Sequence, residues 1–203
     1  MRFTLSLALL LSTATLTAQT LEVDRAANLM SGMQANFTHT FTAKGFKTSQ
    51  VERGVVLFGK LPAMRWTYTS PEEKLFVFDG TQSWFYVPGD KQVTIARVTD
   101  ARKRELPFLI LGDGAARHKA FAVSEEKRGK AVITTLRARD ASALVKSVTV
   151  TTLTSNHYIQ RIQYADRDGN RTSFDFSGYS PRAATAGAFR FDPPAGVQVV
   201  NAD

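Results

Sequence analysis

The chain reads as a mainly β protein: one large antiparallel sheet, curled or barrel-like, broken by one helical insertion. Three observations carry this. Short strand-like runs bounded by turn residues recur along its 203 residues at regular spacing. Met64, Trp66 and Tyr68 alternate with polar residues, the period-2 pattern of a strand with one buried face. The next two runs, Leu75-Phe76-Val77-Phe78 and Trp84-Phe85-Tyr86-Val87, do not alternate. Strands that are apolar on both faces need cover on both, whether from helices, a partner or a greasy ligand.

The elements follow in order. Arg2 precedes an apolar stretch, Phe3 to Leu11, that is shorter than the ~20 residues of a membrane span. Small residues then run to Ala18-Gln19, so residues 1–18 read as a cleaved secretory signal and 19–203 as a single domain. Apolar positions from Leu21 to Met33 have helical spacing and predict a first helix. Strands are predicted over 35–46, 51–60, the three aromatic runs and 92–98, with turns at Ser70-Pro71, Asp79-Gly80 and Pro88-Gly89-Asp90. Between Thr99 and Lys119 the pattern becomes helical. Asp100 is placed to cap one turn and Pro107 to open another, with Gly112-Asp113-Gly114 closing it. Strands resume over 120–127, 131–139, 144–152, 158–165 and 172–177, and a last segment at 188–192 precedes Pro193-Pro194.

Most chemistries lack their residues. There is no cysteine, hence no disulfide and no lipidated cysteine, and His39, His118 and His157 are scattered, so neither a metal nor another cofactor is expected. No Gly-x-Ser-x-Gly elbow occurs, and Asp166-Arg-Asp168-Gly169-Asn170 reads as a hairpin turn rather than a calcium loop, because position 177 is serine where the loop needs glutamate. Enzymatic activity is not expected. The net charge of +8 suits an acidic partner or an anionic membrane surface. Export and the scatter of Lys and Arg argue against nucleic acid.

What remains is binding through an apolar interior. A half-open barrel has a concave face that a helix can cover as a lid, and each methylene of an acyl chain buried there gains ~0.8 kcal/mol. Phe37, Phe41, Trp66, Tyr68, Phe76, Phe78, Trp84 and Tyr86 are the candidate wall, and Pro107, Phe108, Leu109, Ile110 and Leu111 the candidate lid. Strand parity alone does not say which face is concave.

Several pieces, in order, resemble the LolA family of periplasmic carriers of outer-membrane lipoproteins. They are Ala35-Asn-Phe37-Thr, Pro62 through Trp66, Tyr68 and Pro71-Glu-Glu-Lys, Asp79-Gly80, Trp84-Phe-Tyr-x-Pro88, Pro107-Phe-Leu-Ile-Leu111, and Phe189-x-Phe191-x-Pro193-Pro194-x-Gly196-Val197. The resemblance implies an unclosed half-barrel with short helices over its concave face. It also implies a monomeric periplasmic carrier that takes acylated lipoproteins from an inner-membrane ABC-type release complex to an outer-membrane acceptor. A carrier of another lipid or glycolipid, and a lipoprotein-sensing regulator, are the alternatives. In this family an arginine before the hairpin proline helps hold the lid shut. Here that position is Leu61, which leaves Lys60 and Arg65 as the basic candidates, with Lys60 on the opposite strand parity.

Overall fold

The computed structural model describes residues 20–99 and 113–202. The signal segment and the candidate lid, 107–111, lie outside the described residues. Helix α1 spans Glu22–Met30 and is followed by β1 (Met33–Thr42), β2 (Gln50–Phe58), β3 (Met64–Ser70), β4 (Lys74–Phe78), β5 (Gln82–Val87) and β6 (Gln92–Arg97). A short helix α2 (Gly114–Ala120) leads into β7 (Phe121–Arg128), β8 (Ala131–Ala138), β9 (Val145–Leu153), β10 (Ile159–Asp166) and β11 (Arg171–Pro181). A 3-10 turn at Ala186–Phe189 and β12 (Gln198–Ala202) complete the chain.

The twelve strands among the described residues form one sheet in the order β12-β6-β5-β4-β3-β2-β1-β11-β10-β9-β8-β7. It is curved and unclosed, since β12 and β7 do not pair. Neighbours are antiparallel except β12, which runs parallel to β6 with Gln198 opposite Gln92. Two expectations are thereby corrected. The sheet is not wholly antiparallel. Gly114 opens a helix instead of ending one, because the Asp113 Oδ1 accepts the Ala116 N–H at 2.9 Å and so caps α2.

Two apolar layers lie on opposite faces of the sheet. One joins Met64 and Trp66 of β3 to Leu136 of β8, with Phe37, Val148, Ile162 and Phe174 between them. Only the concave side of a curved sheet brings strands so far apart in the order into one cluster. Val23, Ala26 and Met30 of α1 belong to the same layer; with Ala27 they are the i, i+3, i+4, i+7 stripe of an amphipathic helix. The second layer, Leu57, Leu75, Val77, Trp84, Val93 and Phe189, lies on the convex side and is covered by the chain's own segment after β11. Ala188, Phe191 and Val197 pack there too.

The non-alternating runs now have a physical cause. Phe76 and Phe78 of β4 point to the concave layer, Leu75 and Val77 to the convex one. Gly54 marks a close approach within the sheet. A Cβ there would lie 2.0 Å from the Thr67 carbonyl oxygen and 2.9 Å from the Phe37 ring, so only glycine lets β3 and Phe37 come this close.

Candidate functional site

Strand pairing stacks the concave aromatics. Phe37 lies opposite Gly54, Trp66 opposite Phe76, and Met64 opposite Phe78. The Phe37 ring meets Trp66 at 4.9 Å and Tyr68 at 4.8 Å, both edge to face, and Trp66 meets Phe174 at 5.3 Å. Such T-shaped contacts suit the ring quadrupoles and add to the area buried. Trp66 is 2% exposed.

Toward the β1–β2 hairpin this layer turns polar. His39 stacks on Phe174 at 4.4 Å, and its Nδ1 sits 3.0 Å from a Glu52 carboxylate oxygen. Lys74 Nζ donates to the other Glu52 oxygen at 2.6 Å. Burial alone would raise the Glu52 carboxyl. The hydrogen bonds from Lys74 and His39 outweigh it and hold the group below its ordinary value. The Lys74 ammonium is raised, first by its bond to Glu52. Burial, with the Glu52 charge behind it, pushes the Tyr68 phenol up, and burial raises Tyr164 across the sheet. The face thus grades from a dry aromatic interior to a charged rim.

The roof over the interior is fixed by polar contacts at one end. Glu125 of β7 accepts the Glu22 and Val23 N–H groups at 3.0 and 3.3 Å, a carboxylate at the positive end of α1. Thr134 Oγ1 donates to the same carboxylate at 2.7 Å. His157 Nδ1 lies 2.7 Å from Glu22 Oε1, and buried Arg117 of α2 pairs with Asp24. Burial lowers the Arg117 guanidinium, and the Glu125 charge opposes that.

The candidate wall residues divide. Phe37, Trp66, Tyr68, Phe76 and Phe78 come together on the concave layer, and Phe41 shares the strand parity of Phe37 at the half-buried rim. Trp84 and Tyr86 do not join them. They pair with Val77 and Leu75 and pack on the convex side, where Tyr86 meets Phe191 at 5.0 Å between ring centres. The parity of β5 puts Phe85 on the concave side in their place, 41% exposed.

Arg65 is also corrected. Its Nη1 donates to the Ala188 and Arg190 carbonyls at 3.3 and 3.4 Å, so it clasps the C-terminal segment on the convex face. Lys60 is exposed in the β2–β3 turn, where its carbonyl accepts the Ala63 N–H at 3.1 Å. Residues 107–111 lie outside the described residues. Phe174 and Phe176 are wall residues the sequence reading left out. The alternation of Thr172, Phe174 and Phe176 along a strand already predicted was the available signal.

No helix among the described residues is long and apolar enough to cross a membrane, and no group of three or more His, Cys, Asp or Glu among them could hold a metal ion. The architecture is an open curved sheet with an aromatic concave layer, a helix packed on that layer and a charged rim.

The family described as "Outer membrane lipoprotein carrier protein LolA" matches residues 28–192, and the chain belongs to that family. A relative from Aliivibrio fischeri (strain MJ11), named outer-membrane lipoprotein carrier protein, is 29% identical over 203 residues, covering 98% of this chain and 97% of its own. One of the same name from Photobacterium profundum is 26% identical over 192 residues, covering 94% and 93%. Among solved structures, an uncharacterized conserved protein from Thermus thermophilus superposes with a TM-score of 0.55 at 15% identity, covering 89% of this chain and 97% of that one. At that identity the likeness speaks for the fold alone.

Proposed function

We propose that this protein is a periplasmic, non-enzymatic chaperone. It holds the acyl chains of lipoproteins against the concave layer and carries them from the inner to the outer membrane. The observation that carries this reading is the continuous apolar concave layer, from Trp66 to Leu136, roofed by α1 inside a sheet that never closes. Cargo would enter by displacing α1, the lid segment 107–111 or both, exchanging side-chain contacts for methylene contacts worth ~0.8 kcal/mol each. The names of the LolA relatives support lipoprotein as cargo. Residues 1–18 act as the export signal, the protein works as a monomer, and an ABC-type release complex and an outer-membrane acceptor are its donor and recipient. Native mass spectrometry of the protein co-produced with a triacylated lipoprotein tests this. A one-to-one complex is expected, and free lipid or glycolipid in place of lipoprotein would overturn it.

A further inference from the structure

At the end of the sheet where β1 turns into β2, an aromatic side chain stands in solvent with cations around it. Phe46 is 67% exposed, the most exposed large apolar side chain among the described residues. Its position is built rather than frayed. The Phe46 N–H donates to the Ala43 carbonyl at 3.1 Å, and Gly45 takes the left-handed backbone, φ 84°, that this turn needs at its third position. Thr42 and Ser49 close the neck through their hydroxyls at 2.8 Å. The turn leaves Lys44, Phe46 and Lys47 exposed together, with the Lys44 stem lying beside Gly169 of the next turn.

The neighbouring turn adds charge. The Lys44 N–H donates to Asn170 Oδ1 at 3.0 Å, which sets the β10–β11 turn beside the tip, and Arg171 pairs across the sheet with Thr42. The Arg167 N–H donates to the Leu144 carbonyl at 2.7 Å, bringing the start of β9 and Lys146 to the same end. Lys44, Lys47, Lys146, Arg167 and Arg171 are all exposed, and among the described residues none pairs with a carboxylate. Of the two acids in the β10–β11 turn, Asp166 is engaged by the Asn170 N–H and Nδ2 at 2.9 and 2.8 Å, leaving Asp168 as the free one.

We propose that this end is a docking surface for an anionic phospholipid bilayer, with Phe46 entering the interface and the five cations facing lipid phosphates. A single exposed aromatic at a turn apex, with exposed cationic side chains at the same end of the sheet, suits the interface of an anionic bilayer. The lysine stems can lie along the apolar boundary while their ammonium groups stay among headgroups. The rim of the concave face, Phe41 and His39, is on the strand that leads to this tip. Docking would therefore bring the acyl-binding face next to the bilayer.

The experiment is co-sedimentation of the full mature chain with vesicles of phosphatidylglycerol and phosphatidylcholine, against phosphatidylcholine alone, with no lipoprotein present. Binding to the anionic vesicles is expected, falling at least ~10-fold between about 0.05 and 0.5 M salt as the charges are screened. Phe46→Ala should weaken it by about 5-fold and the pair Lys44→Gln, Lys47→Gln by about 10-fold, with the melting temperature unchanged. A Phe46→Trp variant should shift its emission to the blue on anionic vesicles, against a background of two buried tryptophans, Trp66 and Trp84. No binding, equal binding to neutral vesicles, or binding indifferent to Phe46 would overturn the proposal. Because no cargo is present, any of these leaves the acyl-carrier reading standing.

Discussion

Strands β3 and β4 separate two apolar layers that differ in how they are covered. The convex layer is closed by the chain itself: Phe189 and Phe191 lie on it, and Arg65 fastens their segment through two backbone carbonyls. The concave layer is roofed by α1, whose N-terminus is fastened by polar contacts to Glu125, His157 and Arg117. A convex cover tied down along its length is a permanent part of the core. The concave cover is one short helix, held at its N-terminus by those side chains and just past its other end by the Gly32 N–H on the Phe58 carbonyl and the Arg182 N–H on the Gly32 carbonyl, at 2.9 and 2.8 Å. The comparison teaches that an apolar excess in a sequence has two parts, one on each face of the sheet, each with its own cover.

Truncations should separate the two layers. Trp66→Ala removes the ring at the centre of the concave cluster and should cost about 3–5 kcal/mol in urea unfolding, with loss of acyl binding by whatever protein remains folded. Phe189→Ala on the convex side should cost about 3 kcal/mol and leave acyl binding unchanged. If the convex change abolishes binding at a temperature where the protein is folded, the division of labour between the faces fails. Gly54→Ala should cost about 1–3 kcal/mol, because the new Cβ meets the Thr67 carbonyl and the Phe37 ring. A neutral outcome in thermal melting would mean the inner layer is looser than described.

The smallest effect belongs to the charged rim. The Glu52 carboxyl is held below its ordinary value of 4.5. Its contribution is therefore complete at neutral pH and lost as pH falls through that value and below it, where the folded form must also take up the proton. Glu52→Gln should lower stability at neutral pH by under ~1 kcal/mol and flatten the acid limb of the stability–pH curve. An unchanged acid limb would remove the rim from the account.

The sheet was legible in the sequence because strand parity and turn residues are local signals. Met64-x-Trp66-x-Tyr68, Asp79-Gly80 and Asp168-Gly169 each announced a strand or a turn within a few residues. The doubling of Leu75–Phe78 correctly demanded two covers. Which cover lay on which side was not legible, because the C-terminal segment that seals the convex face is more than 100 residues away from β4. Trp84 and Tyr86 were grouped with Trp66 on aromatic character, and only the pairing of Trp84 with Val77 shows that they face away. Arg65 was a lid-holding candidate from the family resemblance, and its pairing with Leu57 and Val77 places it on the convex side. The parallel placement of β12 beside β6 and the Asp113 cap that starts α2 likewise depend on where the chain returns, not on periodicity.

The two tryptophans, one on each face, offer the most direct test. Trp84→Phe leaves Trp66 as the only indole and Trp66→Phe leaves Trp84. Each variant would be titrated with a triacylated lipopeptide whose acyl chains carry bromine, a short-range quencher. The account predicts strong quenching of Trp66 and unchanged emission from Trp84. Quenching of Trp84 with Trp66 untouched, or of neither when the lipopeptide is bound, would contradict the placement of acyl chains on the concave face.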